Sequence, residues 1–108
     1  KENNMTISVI TTWEGTPAAL ILLTEGSRNA AALHVSLGAK NPRLLEPMAG
    51  GDLTRRHYVF DFDSIEDWAS FATRIRASEW WAATGKVVAD AHPNLRMLGQ
   101  AIMRNAIE

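Results

Sequence analysis

Apolar positions along the chain switch between two spacings, and the switches mark out its elements. From Met5 to Trp13 they recur every second residue. Ile7, Val9, Thr11 and Trp13 fall on one side, and Thr6, Ser8, Ile10 and Thr12 on the other. A period of two, rich in β-branched residues, specifies a strand. The second side is nearly as β-prone as the first, so this strand is expected at the centre of a sheet. From Thr16 the spacing lengthens. Thr16 as cap and Pro17 in the first turn open a helix expected to run to about Leu37 and stop at Gly38. Its apolar stripe reads Ala19, Leu22, Leu23, Gly26, Ala30, Leu33 and Leu37, with His34 at the edge. A glycine in mid-helix costs about 1 kcal/mol relative to alanine, which points to close approach of helix and sheet at Gly26.

Asn41 to Met48 reads as a short second strand. Pro42 and Pro47 cannot donate to a ladder and place it at an edge. Ala49-Gly50-Gly51-Asp52 is a turn. His57 to Phe62 alternates again, with Tyr58, Phe60 and Phe62 opposed to His57, Val59 and Asp61. Ser64 then caps a helix whose first turn carries Glu66 and Asp67. Ile65, Trp68, Phe71, Ala72 and Ile75 share its apolar face. Ala77 to about Ala91 is a further helical piece with Ser78 as its cap. Trp80 and Val87 share one side of it, Trp81 and Val88 another; Gly85 weakens it and Pro93 ends it. Leu95 to Met103 is the last strand. Lys1 to Asn4 is polar and expected to fray.

The order is βαββαβ with the second helix split. Two right-handed crossovers give an α+β, ferredoxin-like domain: a four-stranded antiparallel sheet with helices on one face. The other face carries Ile10, Val59 and Thr12, too apolar to lie bare in water. A homodimer through sheet faces is therefore expected.

Composition narrows the function. The 108 residues suffice for a single domain, 1–108. A net charge of −1 argues against a large nucleic-acid footprint. No run approaches the roughly 18 apolar residues that span a membrane. With no cysteine there is no disulfide and no thiol chemistry, which suits a reducing cytoplasm. His34, His57 and His92 lack metal-ligand spacing, so no metal and no cofactor is expected.

The stretches Leu37-Gly38-Ala39-Lys40-Asn41-Pro42-Arg43-Leu44-Leu45, Gly50-Gly51, Tyr58-Val59-Phe60-Asp61-Phe62-Asp63-Ser64 and Ala77-Ser78-Glu79-Trp80 resemble dimeric α+β barrel proteins. The resemblance is nearest to NIPSNAP-like and uncharacterised bacterial members. It implies a homodimer whose sheets form a barrel, with a pocket between sheet and helices in each protomer. Some members of that superfamily are cofactor-independent monooxygenases, and others degrade or bind haem. Those members use a polar set of Asn, Trp and either Tyr or His. The end of the first strand here offers Thr11, Thr12 and Trp13 but no Asn, and the second helix carries no His. Arg56 to Phe62 also resembles the third-strand motif of RNA-recognition folds. That motif's glycines are missing and Asp61 has the wrong sign, so no nucleic-acid partner is expected.

The ligand-binding candidates are His34, Tyr58, Trp68, Trp80 and Trp81. Tyr58, Phe60, Ile7 and Val9 face the helices; small residues Gly26, Ala30 and Ala72 stand among large ones. Either the tryptophans fill that volume, or an apolar, aromatic-walled pocket remains for a small hydrophobic or aromatic ligand. His57 is placed at the dimer interface, His92 in a loop, and Glu46 as a lone carboxylate near a pocket mouth. Arg55-Arg56 is either solvated or holds an anion. No acid pair, nucleophile motif or phosphate loop is present, so catalytic residues are not assigned. The expected function is small-molecule binding by a homodimer; the alternative is a cofactor-independent monooxygenase of an aromatic or quinol-like substrate.

Overall fold

The computed structural model describes residues 6–107; the expected frayed start and Met5 lie outside them. The elements run β1 (Ile7–Gly15), α1 (Pro17–Ser36), β2 (Lys40–Leu45), β3 (Arg55–Phe62), α2 (Ile65–Arg76), α3 (Glu79–Ala91) and β4 (Leu95–Arg104). The strands form one antiparallel sheet in the order β2-β3-β1-β4. This is the expected ferredoxin-like arrangement with its second helix split. The first strand is central, as its two β-prone sides require, and the proline-bearing β2 is at an edge.

Local chemistry sets the boundaries. Thr16 Oγ1 accepts from the Ala19 N–H at 3.2 Å, Ser64 Oγ from Asp67 at 3.1 Å and Ser78 Oγ from Trp81 at 3.3 Å. Each helix thus begins where a hydroxyl satisfies a first-turn donor. Past the end of α1, Gly38 takes φ +112°, where a side chain would be strained. β2 stops at Leu45, short of the Met48 expected from the sequence. Its pairing with β3 also shifts between Lys40 and Arg43, where Pro42 has no N–H to give.

β1 and β3 pair in one uninterrupted register, with Ile7 opposite Phe62, Val9 opposite Phe60 and Thr11 opposite Tyr58. Alternation puts all six on one face. The core gathers there: Ile7, Val9, Tyr58, Phe60 and Phe62 from the sheet, Phe71 and Ile75 from α2, and Ala39 after α1. Leu33 of α1, Leu37 just past its end, Trp68 of α2 and Trp80 of α3 pack against it. The protomer measures 44 × 36 × 20 Å. The short axis accommodates one sheet and one layer of helices, which pack at about 10 Å. Among the described residues no third layer covers the opposite face, which carries Ser8, Ile10, Thr12, His57, Val59 and Asp61.

Two helices meet the sheet differently from their sequence pattern. The inward side of α1 runs through Leu20, Leu23, Ala30 and His34; Leu22 is 64% exposed. The run Leu20-Ile21-Leu22-Leu23 is apolar all round, so it carries no phase, and packing selects Leu20 and Leu23. Gly26 is exposed, and a Cβ built on it meets nothing within 4 Å. The expected close approach at Gly26 is therefore absent. On α3 the inward side follows Trp80, Thr84 and Val88, while Val87 is 64% exposed.

Gly15 shows what a required glycine looks like. A Cβ there would lie 3.1 Å from Asn94 O, 3.2 Å from Leu95 Cδ1 and 3.3 Å from Leu20 Cδ2. Gly26→Ala should raise stability by about 1 kcal/mol through helix propensity alone, whereas Gly15→Ala should lower it. Urea denaturation of the two variants measures both; a destabilised Gly26→Ala would contradict the open surroundings of Gly26.

Candidate functional site

The site is built where α1 crosses β3. The alternation of β3 delivers Tyr58 to the helix side, and the inward row of α1 ends at His34. His34 Nδ1 and Tyr58 Oη lie 2.6 Å apart in a buried hydrogen bond. His34 is 6% exposed and Tyr58 9%. His34 is thus a fully inserted core residue, not one at the edge of its stripe.

Four aromatic rings surround the imidazole, each edge-on. Their centroids lie 4.9 Å away for Trp80, 5.4 Å for Tyr58, 5.5 Å for Phe60 and 5.8 Å for Phe71. Loss of water disfavours charge on both polar partners. Burial pushes His34 down to about 4 and Tyr58 up to about 12. Both are neutral near pH 7. A phenol is far more acidic than a neutral imidazole N–H, so Tyr58 donates and Nδ1 accepts. The remaining imidazole proton then sits on Nε2. That nitrogen has no hydrogen-bond partner among the described residues, yet it is not sealed: Arg56 Nε is the one fully buried side-chain polar atom without a partner among them. The arrangement presents a fixed, neutral N–H donor in apolar surroundings.

Of the residues expected at the site, the structure brings together His34, Tyr58 and Trp80. Trp81 stands 6.5 Å from Trp80, ring to ring, and is 47% exposed. Trp68 packs against the same core but makes none of the ring contacts found among the described residues. Phe71 is a neighbour that the sequence reading left in the core; its helical phase places it beside His34, but only the docking of α2 shows that. The other histidines lie elsewhere. His57 Nδ1 is 3.0 Å from Thr12 Oγ1 on the uncovered sheet face, and His92 caps the end of α3.

The charged candidates are also resolved. Arg55 pairs with Asp52 at 3.5 Å and Glu14 at 3.9 Å, and Glu14 also takes Arg96. Glu46 is no lone carboxylate: Arg56 Nε is 3.7 Å from it. Among the described residues no group of three or more His, Cys, Asp or Glu is placed to hold a metal ion. No described helix is long and apolar enough to cross a membrane.

Two open depressions mark the surface. One of about 410 Å³ lies on the uncovered sheet face, lined by Ser8, Ile10, Arg43, Leu45, Val59 and Met103 among others. The other, about 360 Å³, lies beside the start of α1 near Thr16, Pro93 and Asn94. Neither includes His34 or Tyr58.

No family model and no curated protein matches this sequence. Solved structures match its fold. A dimeric ferredoxin-like protein from an uncultured marine organism superposes with a TM-score of 0.74 at 9% identity, covering 96% of this chain and 98% of that one. A NIPSNAP family protein of unknown function from Agrobacterium tumefaciens gives 0.67 at 15% identity, covering 98% and 92%. A provisionally assigned monooxygenase from Shewanella loihica gives 0.66 at 16% identity, covering 94% and 95%. The shared fold is therefore ferredoxin-like, and at these identities the likeness concerns the fold alone.

Tyr58→Phe leaves Nδ1 of His34 buried without its donor and should cost about 1–3 kcal/mol in a denaturation experiment. The pH dependence has a definite sign. The unfolded chain takes up the His34 proton near pH 6.5 and the folded chain only near 4. The unfolded state therefore holds more protons between these values, so this contribution is complete above about pH 6.5 and is lost as pH falls towards 4. Denaturation midpoints measured across that window should show the slope in the wild type and lose it in His34→Gln.

Proposed function

We propose that this protein is a homodimer that binds a small aromatic or hydrophobic molecule between its helices and its sheet, beside His34, Tyr58 and Trp80. The observation that carries the reading is the His34–Tyr58 hydrogen bond, 2.6 Å long and buried among aromatic rings. It fixes an imidazole whose outer nitrogen has no partner among the described residues. A carbonyl or hydroxyl oxygen on a flat apolar ligand satisfies that donor, while Trp80 and the more exposed Trp81 supply ring surface.

Binding is favoured over catalysis by the same chemistry. A general base works best with a pKa near the operating pH. Burial pushes His34 down to about 4, far from that range. The second reading is a cofactor-independent monooxygenase of aromatic or quinol-like substrates. It is supported by the shared fold with two proteins provisionally assigned as monooxygenases, one of them in antibiotic biosynthesis.

Dimerisation is the other half of the reading. The uncovered sheet face exposes Leu45 by 47% and Met103 by 56%, beside the half-buried Ile10. A second copy seated on this face removes that apolar surface from water. The superposable marine protein is itself described as dimeric.

Light scattering at micromolar concentration should give twice the protomer mass; a monomer mass would refute the dimer. A panel of flat aromatic compounds should include one that quenches tryptophan fluorescence and raises the melting temperature. His34→Ala should weaken that binding about ten-fold or more, the loss of one hydrogen bond in apolar surroundings. If no compound gives either signal, the binding reading fails. Oxygen consumption with hydroquinone-like compounds would instead establish the second reading.

A further inference from the structure

Arg56 is the charged residue that the fold leaves incomplete. It lies two places before Tyr58 on β3, on the same helix-side face, and opposite Trp13 of β1. Its side chain is only 16% exposed. Nη1 is held by two backbone carbonyls, Leu53 O at 3.0 Å and Arg55 O at 2.8 Å. These bonds fix the plane of the guanidinium. Nε is buried and makes no hydrogen bond. Glu46 stands 3.7 Å from it, beyond hydrogen-bond reach, and is 69% exposed. Glu46 therefore balances the charge without satisfying the donor.

The other charged clusters differ. Asp61 accepts from Ser8 at 2.7 Å and from Arg43 at 3.2 Å. Glu14, Arg55, Asp52 and Arg96 satisfy one another. Lys40 pairs with Asp63 and Lys86 with Asp90 at the surface. Among the described residues, only Arg56 combines a fixed guanidinium, a buried unfilled donor and a solvated partner that another carboxylate can displace.

We infer that Arg56 is the anion-binding end of the proposed site, and that the ligand is an aromatic carboxylic acid with a hydroxyl or carbonyl at its far end. The inference rests on the binding reading above. Two residues along a strand span about 7 Å, so Arg56 and Tyr58 leave the same face of β3 about that far apart at the backbone. A six-membered ring with polar groups at opposite ends bridges them. Its carboxylate takes the place of Glu46 and accepts from the guanidinium edge, where charge-assisted paired hydrogen bonds are strongest. Its other oxygen accepts from His34 Nε2, and its face lies among the aromatic side chains. A free inorganic anion lacks that apolar body and competes poorly with Glu46.

The test compares para-hydroxybenzoate with its methyl ester by calorimetry on the intact protein. The ester keeps the ring and hydroxyl but carries no charge. The acid should bind about ten-fold or more tightly than the ester, as expected for a charge-assisted pair. Arg56→Gln should bring that ratio close to one. Glu46→Gln, a substitution at a solvated residue, should raise the ratio several-fold by removing the competing carboxylate, and it serves if Arg56→Gln does not fold. Equal affinity for acid and ester in the wild type, or a ratio that Glu46→Gln fails to raise, overturns the inference and leaves the binding reading standing. Failure of both compounds, with the aromatic panel also silent, overturns the two together.

Discussion

Burial of one aromatic face of β3 is the constraint on which the rest depends. Tyr58, Phe60 and Phe62 are large, occur at every second position and leave water together. Phe60 meets Phe71 of α2 edge-on at 5.0 Å, and Phe62 meets it tilted at 5.2 Å. Phe62 of β3 and Val9 of the neighbouring β1, on the same sheet face, are fully sealed. Such rings add geometric preference to the area they bury. Their removal from water fixes how α2 docks and which side of β1 faces inward. It also forces a decision about the one phenol in the row. Tyr58 cannot enter that layer without a partner for its hydroxyl, and α1 provides His34.

The His34–Tyr58 pair therefore joins structure to chemistry. As a structural element it satisfies two polar groups that would each be costly alone. As a chemical element it orients an imidazole, sets its tautomer and keeps it neutral. The same burial that suppresses the charge makes the group a poor proton acceptor and a good hydrogen-bond donor. Arg56, two residues away on the same strand face, shows the opposite case: a charge that burial leaves half satisfied. The functional reading follows from placing these two polar features on one otherwise apolar surface.

The opposite sheet face has a different balance. Ser8, Asp61 and Arg43 form one polar group there, and Thr12 with His57 another. Between them lie Ile10 and Val59, flanked by Leu45 and Met103. Polar pairs already satisfied within the protomer lower the cost of burying that face. The part-exposed Ile10, with Leu45 and Met103, supplies the gain, since Val59 is already buried within the protomer. The two faces thus differ in kind: one carries the core and the His34–Tyr58 pair, and the other is the surface on which the proposed second copy would sit.

The sequence by itself determined the order of elements, the helix starts and the inward side of β3. These depend on neighbours only a few residues away: a hydroxyl three residues from an N–H, a proline without a donor, rings at a period of two. It could not determine the phase of α1, because Leu20 to Leu23 is apolar on every side and Gly26 has several explanations. Nor could it place His34, a residue equally at home at a stripe edge or in a core; only the depth of α1 against β3 decided that. Trp68 and Trp80 look alike as aromatic residues on helices, yet only Trp80 reaches the imidazole. Arg56 was visible as one of a basic pair. That its Nε is buried and unmatched depends on Glu46, ten residues earlier and brought alongside by β2–β3 pairing, and on two backbone carbonyls. Tertiary structure decided these points because each joins residues whose separation in space the local pattern does not encode.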